Sequence, residues 1–140
     1  MYKRQPGAGE LYTYGTSDYA VTESAGDWTV HMVFGVDSAE RLWVLDMWRG
    51  RTTPERWIPP LIGMMRKWNP RVWIEEKGQI EKSVAPFLDK SQREEKVWTR
   101  RVGLSSHRDK PTRARAIQWR AERYGLWFDN SFPQLSLIHI

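Results

Sequence analysis

The chain has 140 residues, 40% of them hydrophobic and 28% charged, which suits one globular domain with one sizeable core. It carries no cysteine, so disulfides and thiolate metal sites are excluded. The net charge of +5 permits a polyanionic partner without demanding one, and no apolar run approaches the roughly 20 residues of a membrane span.

The stretch "YGTSDYAVTESAGDWTV" (14–30) reads as a β-hairpin, because Val, Tyr, Thr and Trp favour strands and "ESAG" marks a tight turn. Asp18 falls inside its first strand, either as a solvated outward residue or as a metal ligand. Alternation continues through "HMVFGVD", with Trp28, Val30, Met32 and Phe34 on one face. After the turn "DSAE", "RLWVLDMWRG" predicts a third strand. Strict alternation puts Leu42, Val44, Asp46 and Trp48 on one face and Trp43, Leu45 and Met47 on the other. Asp46, among apolar neighbours, is expected to make a structural hydrogen bond rather than bind metal.

Thr53 and Pro54 open a helix that Asn69-Pro70 stops, and Pro59 and Pro60 should confine its regular part to Leu61–Trp68. "RVWIEE" predicts a short buried strand, parallel to the strand it joins. A helical segment bent near Pro86 follows, then a strand at "KVWTRRV" and a polar loop at "LSSHRDK". Pro111 to Tyr124 reads as a helix with Ala114, Ile117, Ala121 and Tyr124 on its apolar stripe and Gly125 at its end. "LWF" is a last extended piece. A three-stranded antiparallel meander followed by βα units implies an α/β fold: one mixed sheet with helices on both faces.

The two ends look foreign to this pattern. "LSLIHI" back-translates as CTG TCT CTT ATA CAC ATC, and "MYKRQ" as GTG TAT AAG AGA CAG with a GTG start. These strings are reverse complements over their shared bases, and they resemble the transposon end used in sequencing libraries. Residues 1–5 and 135–140 are therefore expected to be adapter translation, with the natural fragment running from Pro6 to Gln134. Without Lys3 and Arg4, 20 cationic side chains would face 17 acidic ones, a net +3. The start of the chain also lacks the apolar segment of a secretory signal, which predicts a protein that is not secreted.

The sequence has neither GxxxxGK(S/T) nor GxGxxG, so the phosphate loops of NTPases and dinucleotide enzymes are missing. It has no HExxH, and His31, His107 and His139 are too scattered for a zinc site. The acids say more. Asp18 lies in the first strand, and Glu75 and Glu76 end "RVWIEE". Ligands collect beyond the C-terminal ends of parallel strands. If the two strands are adjacent, Asp18 and Glu75 can face one another, and hard oxygen donors of this kind suit Mg²⁺ or Mn²⁺. Acids near strand ends are also common as solvated residues. Arg108, Lys110, Arg113 and Arg115 cluster at the start of the last helix, either as a solvated face or as contacts to DNA phosphates.

Three blocks, "YGTSDYAVTESAGDWTVHMVFGVDSAERLWVLDMWRG", "WIEEKGQI" and "RDKPTRARAIQWRAERYGLWF", resemble in order and spacing the C-terminal nuclease domain of tailed-phage terminase large subunits. The resemblance implies an RNase H-like fold and metal-dependent endonuclease cleavage of concatemeric double-stranded viral DNA during packaging, in the host cytoplasm. It implies two-metal phosphodiester hydrolysis with Mg²⁺ or Mn²⁺. Asp18 matches the first-strand metal-binding aspartate and Glu75 the glutamate of the central strand, with Glu76 second by one register step. Asp109 and Lys110 match a segment near the family's active site. The family's third acid comes beyond an "FP", so Phe132-Pro133 places it past Gln134, and a fragment without it should cleave weakly or not at all. Implied partners are an ATPase domain upstream on the same chain, the portal and the small terminase subunit, with no membrane. The rivals are another RNase H-like nuclease of the resolvase or integrase type, and a non-catalytic nucleic-acid-binding domain.

Overall fold

The computed structural model describes residues 2–3, 11–20, 26–105 and 110–129, with side chains undescribed at 2, 3, 79, 80, 110–114 and 129. Seven strands form one sheet: β1 (Tyr2–Lys3), β2 (Tyr12–Asp18), β3 (Thr29–Val36), β4 (Leu42–Gly50), β5 (Trp73–Glu76), β6 (Arg101–Leu104) and β7 (Leu126–Asp129). Three helices connect them: α1 (Pro54–Trp68), α2 (Gln79–Glu95) and α3 (Lys110–Tyr124). The sheet order is β1-β7-β4-β3-β2-β5-β6. The β2–β3–β4 meander is antiparallel, while β5 pairs parallel with β2 and β6, and β7 pairs parallel with β4 and β1. The expected mixed α/β sheet is therefore present.

Both β4 and α1 depart from their sequence patterns. A register shift between Val33 and Phe34 leaves Leu45 as the extra residue of a β-bulge in β4. Asp46 and Trp43 consequently share a face, opposite Val33 and Gly35, whereas Val44 and Met47 lie on the other, opposite Phe34 and Met32. Strict alternation across Leu45 was the wrong assumption. Helix α1 also runs unbroken through Pro59 and Pro60. The prolines remove the hydrogen bonds to the carbonyls of Glu55 and Arg56, but both of those residues are exposed, where water can replace the lost donors. Six buried side chains (Trp57, Ile58, Leu61, Ile62, Met64 and Met65) hold the helix down. Each contributes on the order of 1.5–3 kcal/mol by leaving water, which outweighs two lost bonds. Asn69 ends the helix in the left-handed conformation, φ 44°. Helix α2 likewise runs continuously through Pro86.

The core lies between α1, α2 and one face of the sheet: Trp57, Leu61, Met65, Val84 and Leu88 meet Val33, Trp43, Leu45 and Trp73. The return from β6 to β7 runs back across the sheet, and a right-handed connection in that direction passes over the opposite face. Helix α3, which makes this return, touches β7 and holds the Glu40 carbonyl through Arg120 at 2.7 Å. Its expected stripe is only partly used. Ala121 and Tyr124 are half-buried near β7, but Ile117 is 58% exposed, because packing is confined to the C-terminal end of the helix.

Candidate metal centre at the strand ends

Strand β2 brings Asp18 to its C-terminal end beside the end of β5. The parallel register sets Gly15 against Trp73, Thr16 against Ile74 and Ser17 against Glu75. Gly15 is required there, because a Cβ at that position would lie 2.0 Å from the Trp73 ring. Partners across a ladder project from the same face and successive residues alternate. Ser17 and Glu75 both point into the helix-covered core, where each is buried. Asp18 is exposed on the other face. The expected juxtaposition of Asp18 with Glu75 is thus not formed. One step further along the same register stands Glu76, exposed and on the same face as Asp18. The register step ranked second from sequence is the one that shares the face of Asp18.

Glu75 is committed elsewhere. Tyr19 donates a 2.6 Å hydrogen bond to its Oε1, and Arg101 Nε lies 3.4 Å from the same oxygen. Arg101 continues to Asp89 at 3.2 Å, and its remaining terminal nitrogen has no hydrogen-bond partner. Burial raises the Glu75 pKa, against the Tyr19 hydrogen bond and the Arg101 charge, which lower it. Burial also raises the Tyr19 pKa, and the Glu75 carboxylate beside it adds to the effect. Through these contacts Glu75 is anchored at the end of β5, next to Glu76.

A second buried chain fixes β2. Trp73 Nε1 donates to Ser17 Oγ at 2.8 Å, Ser17 Oγ meets His31 Nδ1 at 2.7 Å, and His31 Nε2 meets the Trp57 carbonyl at 3.0 Å. A carbonyl can only accept, so the Nε2 proton is present and Nδ1 accepts from the serine hydroxyl. Burial lowers the His31 pKa to about 4, so the ring is neutral. Asp46 accepts from Trp68 Nε1 at 2.9 Å, the structural bond expected of it.

Among the described residues, no group of three His, Cys, Asp or Glu side chains could hold a metal ion, so no third acid joins Asp18 and Glu76. Arg108 and Asp109 lie outside the described residues, as do the side chains of Lys110, at the first position of α3, and Arg113. Arg115 is exposed on α3. Sequence reasoning missed two features: the Tyr19–Glu75–Arg101–Asp89 network, and the stacking of Arg49 and Arg51 on Trp28, whose guanidinium carbons lie 4.8 and 4.4 Å from the ring centre. Arginines two residues apart around the end of one strand, with a Trp just before the start of the preceding strand, were the available signal.

No helix among the described residues is long and apolar enough to cross a membrane. Neither a family profile nor a curated protein sequence matches the chain. Solved structures do. A large terminase from a thermophilic bacteriophage matches with TM-score 0.59 and 9% identity over 91% of this chain. The large terminase nuclease of thermophilic phage G20c, with bound magnesium, matches with TM-score 0.56 and 10% identity over 93%. The fowlpox virus Holliday junction resolvase matches with TM-score 0.51 and 14% identity over 88%. The chain spans 30%, 62% and 82% of those three chains, respectively. It has the RNase H-like fold of large-terminase nuclease domains.

Proposed function

We propose that this chain is a terminase-type nuclease domain acting on double-stranded DNA, with Asp18 and Glu76 as the pair that holds a divalent cation. The observation that carries this reading is their placement: two exposed acids on one sheet face, at the ends of adjacent parallel strands. Ligands gather at that position in open α/β sheets. The donor set fits the ion, since Mg²⁺ is commonly held by one or two carboxylates plus phosphate oxygens and water. Such an ion, when bound, supplies charge neutralisation at a phosphodiester and lowers the pKa of a water.

The chain's own residues do the rest. Glu75, Tyr19 and Arg101 lock the end of β5, and Ser17 with His31 locks the end of β2. The carboxylates of Asp18 and Glu76 are therefore held by rigid strands rather than loops. Two acids hold one ion well; the two-ion arrangement needs a further acid that does not join them among the described residues. Weak cleavage is the expected behaviour of this chain. Arg108, Lys110, Arg113 and Arg115 remain proposed DNA-side residues, Asp109 and Lys110 remain proposed neighbours of the active site, and the ATPase domain, portal and small subunit remain proposed partners in packaging. A junction-resolving nuclease is the second reading, favoured by the 82% span of the fowlpox virus resolvase.

Calorimetric titration with Mn²⁺, paired with nicking of supercoiled plasmid, tests the reading. Asp18→Asn and Glu76→Gln should each abolish Mn²⁺ binding together with any nicking. Unchanged Mn²⁺ affinity in both variants would overturn it.

A further inference from the structure

Resting on the nuclease reading, we infer that Trp28, Arg49 and Arg51 form a phosphate-binding step that takes up the DNA strand next to the Asp18–Glu76 pair. The register carries the inference. Asp18 pairs with Val30 on β3, and Val30 pairs with Arg49 on β4. All three therefore lie in one row on one face, with Glu76 continuing the row beyond Asp18. Two strand spacings separate the Asp18 and Arg49 backbones, about 10 Å. Trp28 precedes β3 and Arg51 follows β4, and the ring contacts of Trp28 with Arg49 and Arg51 gather all three at this end of the row.

The local chemistry selects an anion. Both guanidinium groups stack on the Trp28 ring, and neither has an ion-pair partner among the described residues. Two like charges gathered on one ring repel each other, and an anion between or beside them relieves that repulsion. Contact with the ring holds each guanidinium in place, and a guanidinium so held can offer N–H groups in bidentate contact to phosphate oxygens. Trp28 is 41% exposed and both arginines are exposed, so a backbone can reach them. A divalent cation held by Asp18 and Glu76 would cancel their two negative charges, leaving the positive charge of the arginine pair to face one nucleic-acid strand. The contacts address phosphate, so they position the duplex without reading its sequence.

The test is anisotropy of a fluorescein-labelled duplex oligonucleotide against salt, with Mn²⁺ calorimetry on the same samples. Arg49→Gln/Arg51→Gln should lower the slope of log affinity against log salt by about two, at roughly 0.9 per lost phosphate contact. Its Mn²⁺ affinity should stay at the wild-type value. Lys82→Gln/Lys90→Gln, which removes the same charge from exposed positions on α2, should leave the slope unchanged. Trp28→Leu keeps the net charge yet should weaken binding, because the guanidinium planes lose their platform. Equal slopes for the two double variants, or full affinity in Trp28→Leu, would overturn the phosphate step. Retained Mn²⁺ binding in both Asp18→Asn and Glu76→Gln would instead overturn the metal reading, and the slope difference would still stand as a measure of the arginines.

Discussion

Ser17 and Glu75 stand opposite one another across the parallel β2–β5 pairing, and both side chains point under the helices. This relationship separates the two adjacent glutamates at the end of β5. Glu75 is anchored to Tyr19 and Arg101 in the core, and Glu76 turns outward beside Asp18.

The glutamates should therefore fail in opposite ways. Removing one member of a buried ion pair leaves the other charge uncompensated, so Glu75→Ala should cost about 3 kcal/mol of stability. Its Mn²⁺ affinity, measured on the remaining folded protein, should fall less than that of Glu76→Ala. Glu76→Ala should cost less than about 1 kcal/mol, as exposed sites usually do, and should lose Mn²⁺ binding. Urea melts with Mn²⁺ calorimetry on both variants decide it; a reversed pattern would return the site to Glu75.

Gly15→Ala should be destabilising out of proportion to one methyl group. The new Cβ would meet a buried indole ring with no room to yield, since Trp73 is fully buried and tethered through Nε1 to Ser17. Overpacking of this kind costs about 1–3 kcal/mol or more. Gly63→Ala, where nothing lies within 4 Å, is the comparison and should be neutral or stabilising. Denaturant midpoints of the two variants measure the difference.

Period-two alternation and turn residues were enough to reveal the meander, and the strand-end acids were visible as candidates. Facing was not. A one-residue register step moves a carboxylate through the sheet, and nothing in "WIEE" says which glutamate shares a face with Asp18. The bulge at Leu45 was hidden for the same reason, since an inserted residue is defined only by the partner strand. Pro59 and Pro60 misled because propensity was weighed without the buried face that overrides it. The Trp28–Arg49–Arg51 stack needed the β3–β4 register before its members could be seen as neighbours.

Asp37 is a second anchor that sequence reasoning passed over as a turn residue. Its carboxylate accepts from Ala39 N and Arg41 N at 2.9 Å, from Arg41 Nε at 2.7 Å and from Trp43 Nε1 at 3.0 Å. Burial alone would raise its pKa, but these donors outweigh burial and hold it below the ordinary carboxylate range. Asp37→Ala strips the partner from four donors and should cost about 2–4 kcal/mol. A depressed carboxylate pKa contributes stability that is full above the unfolded value and lost as pH falls through the folded one. The Asp37→Ala variant should accordingly show a shallower loss of stability in strong acid than the wild type, read from urea midpoints below pH 4.

His31 should produce an earlier step in the acid limb. It is fully buried and neutral, with a pKa lowered to about 4 by burial, against 6.5 in the unfolded chain. Between those two values the unfolded state binds more protons, so stability rises with pH. The contribution is complete above pH 6.5, is lost as pH falls, and levels off below about pH 4. The shift corresponds to about 3 kcal/mol in all, of which about 2 kcal/mol should be gone at pH 5. Glu75 acts with the opposite sign: its raised pKa makes stability fall as pH rises above 4.5. His31→Gln removes the ionisable ring, so its urea midpoint should fall less than that of the wild type between pH 7 and pH 5. Equal falls in the two proteins would show that this imidazole is not the group that titrates.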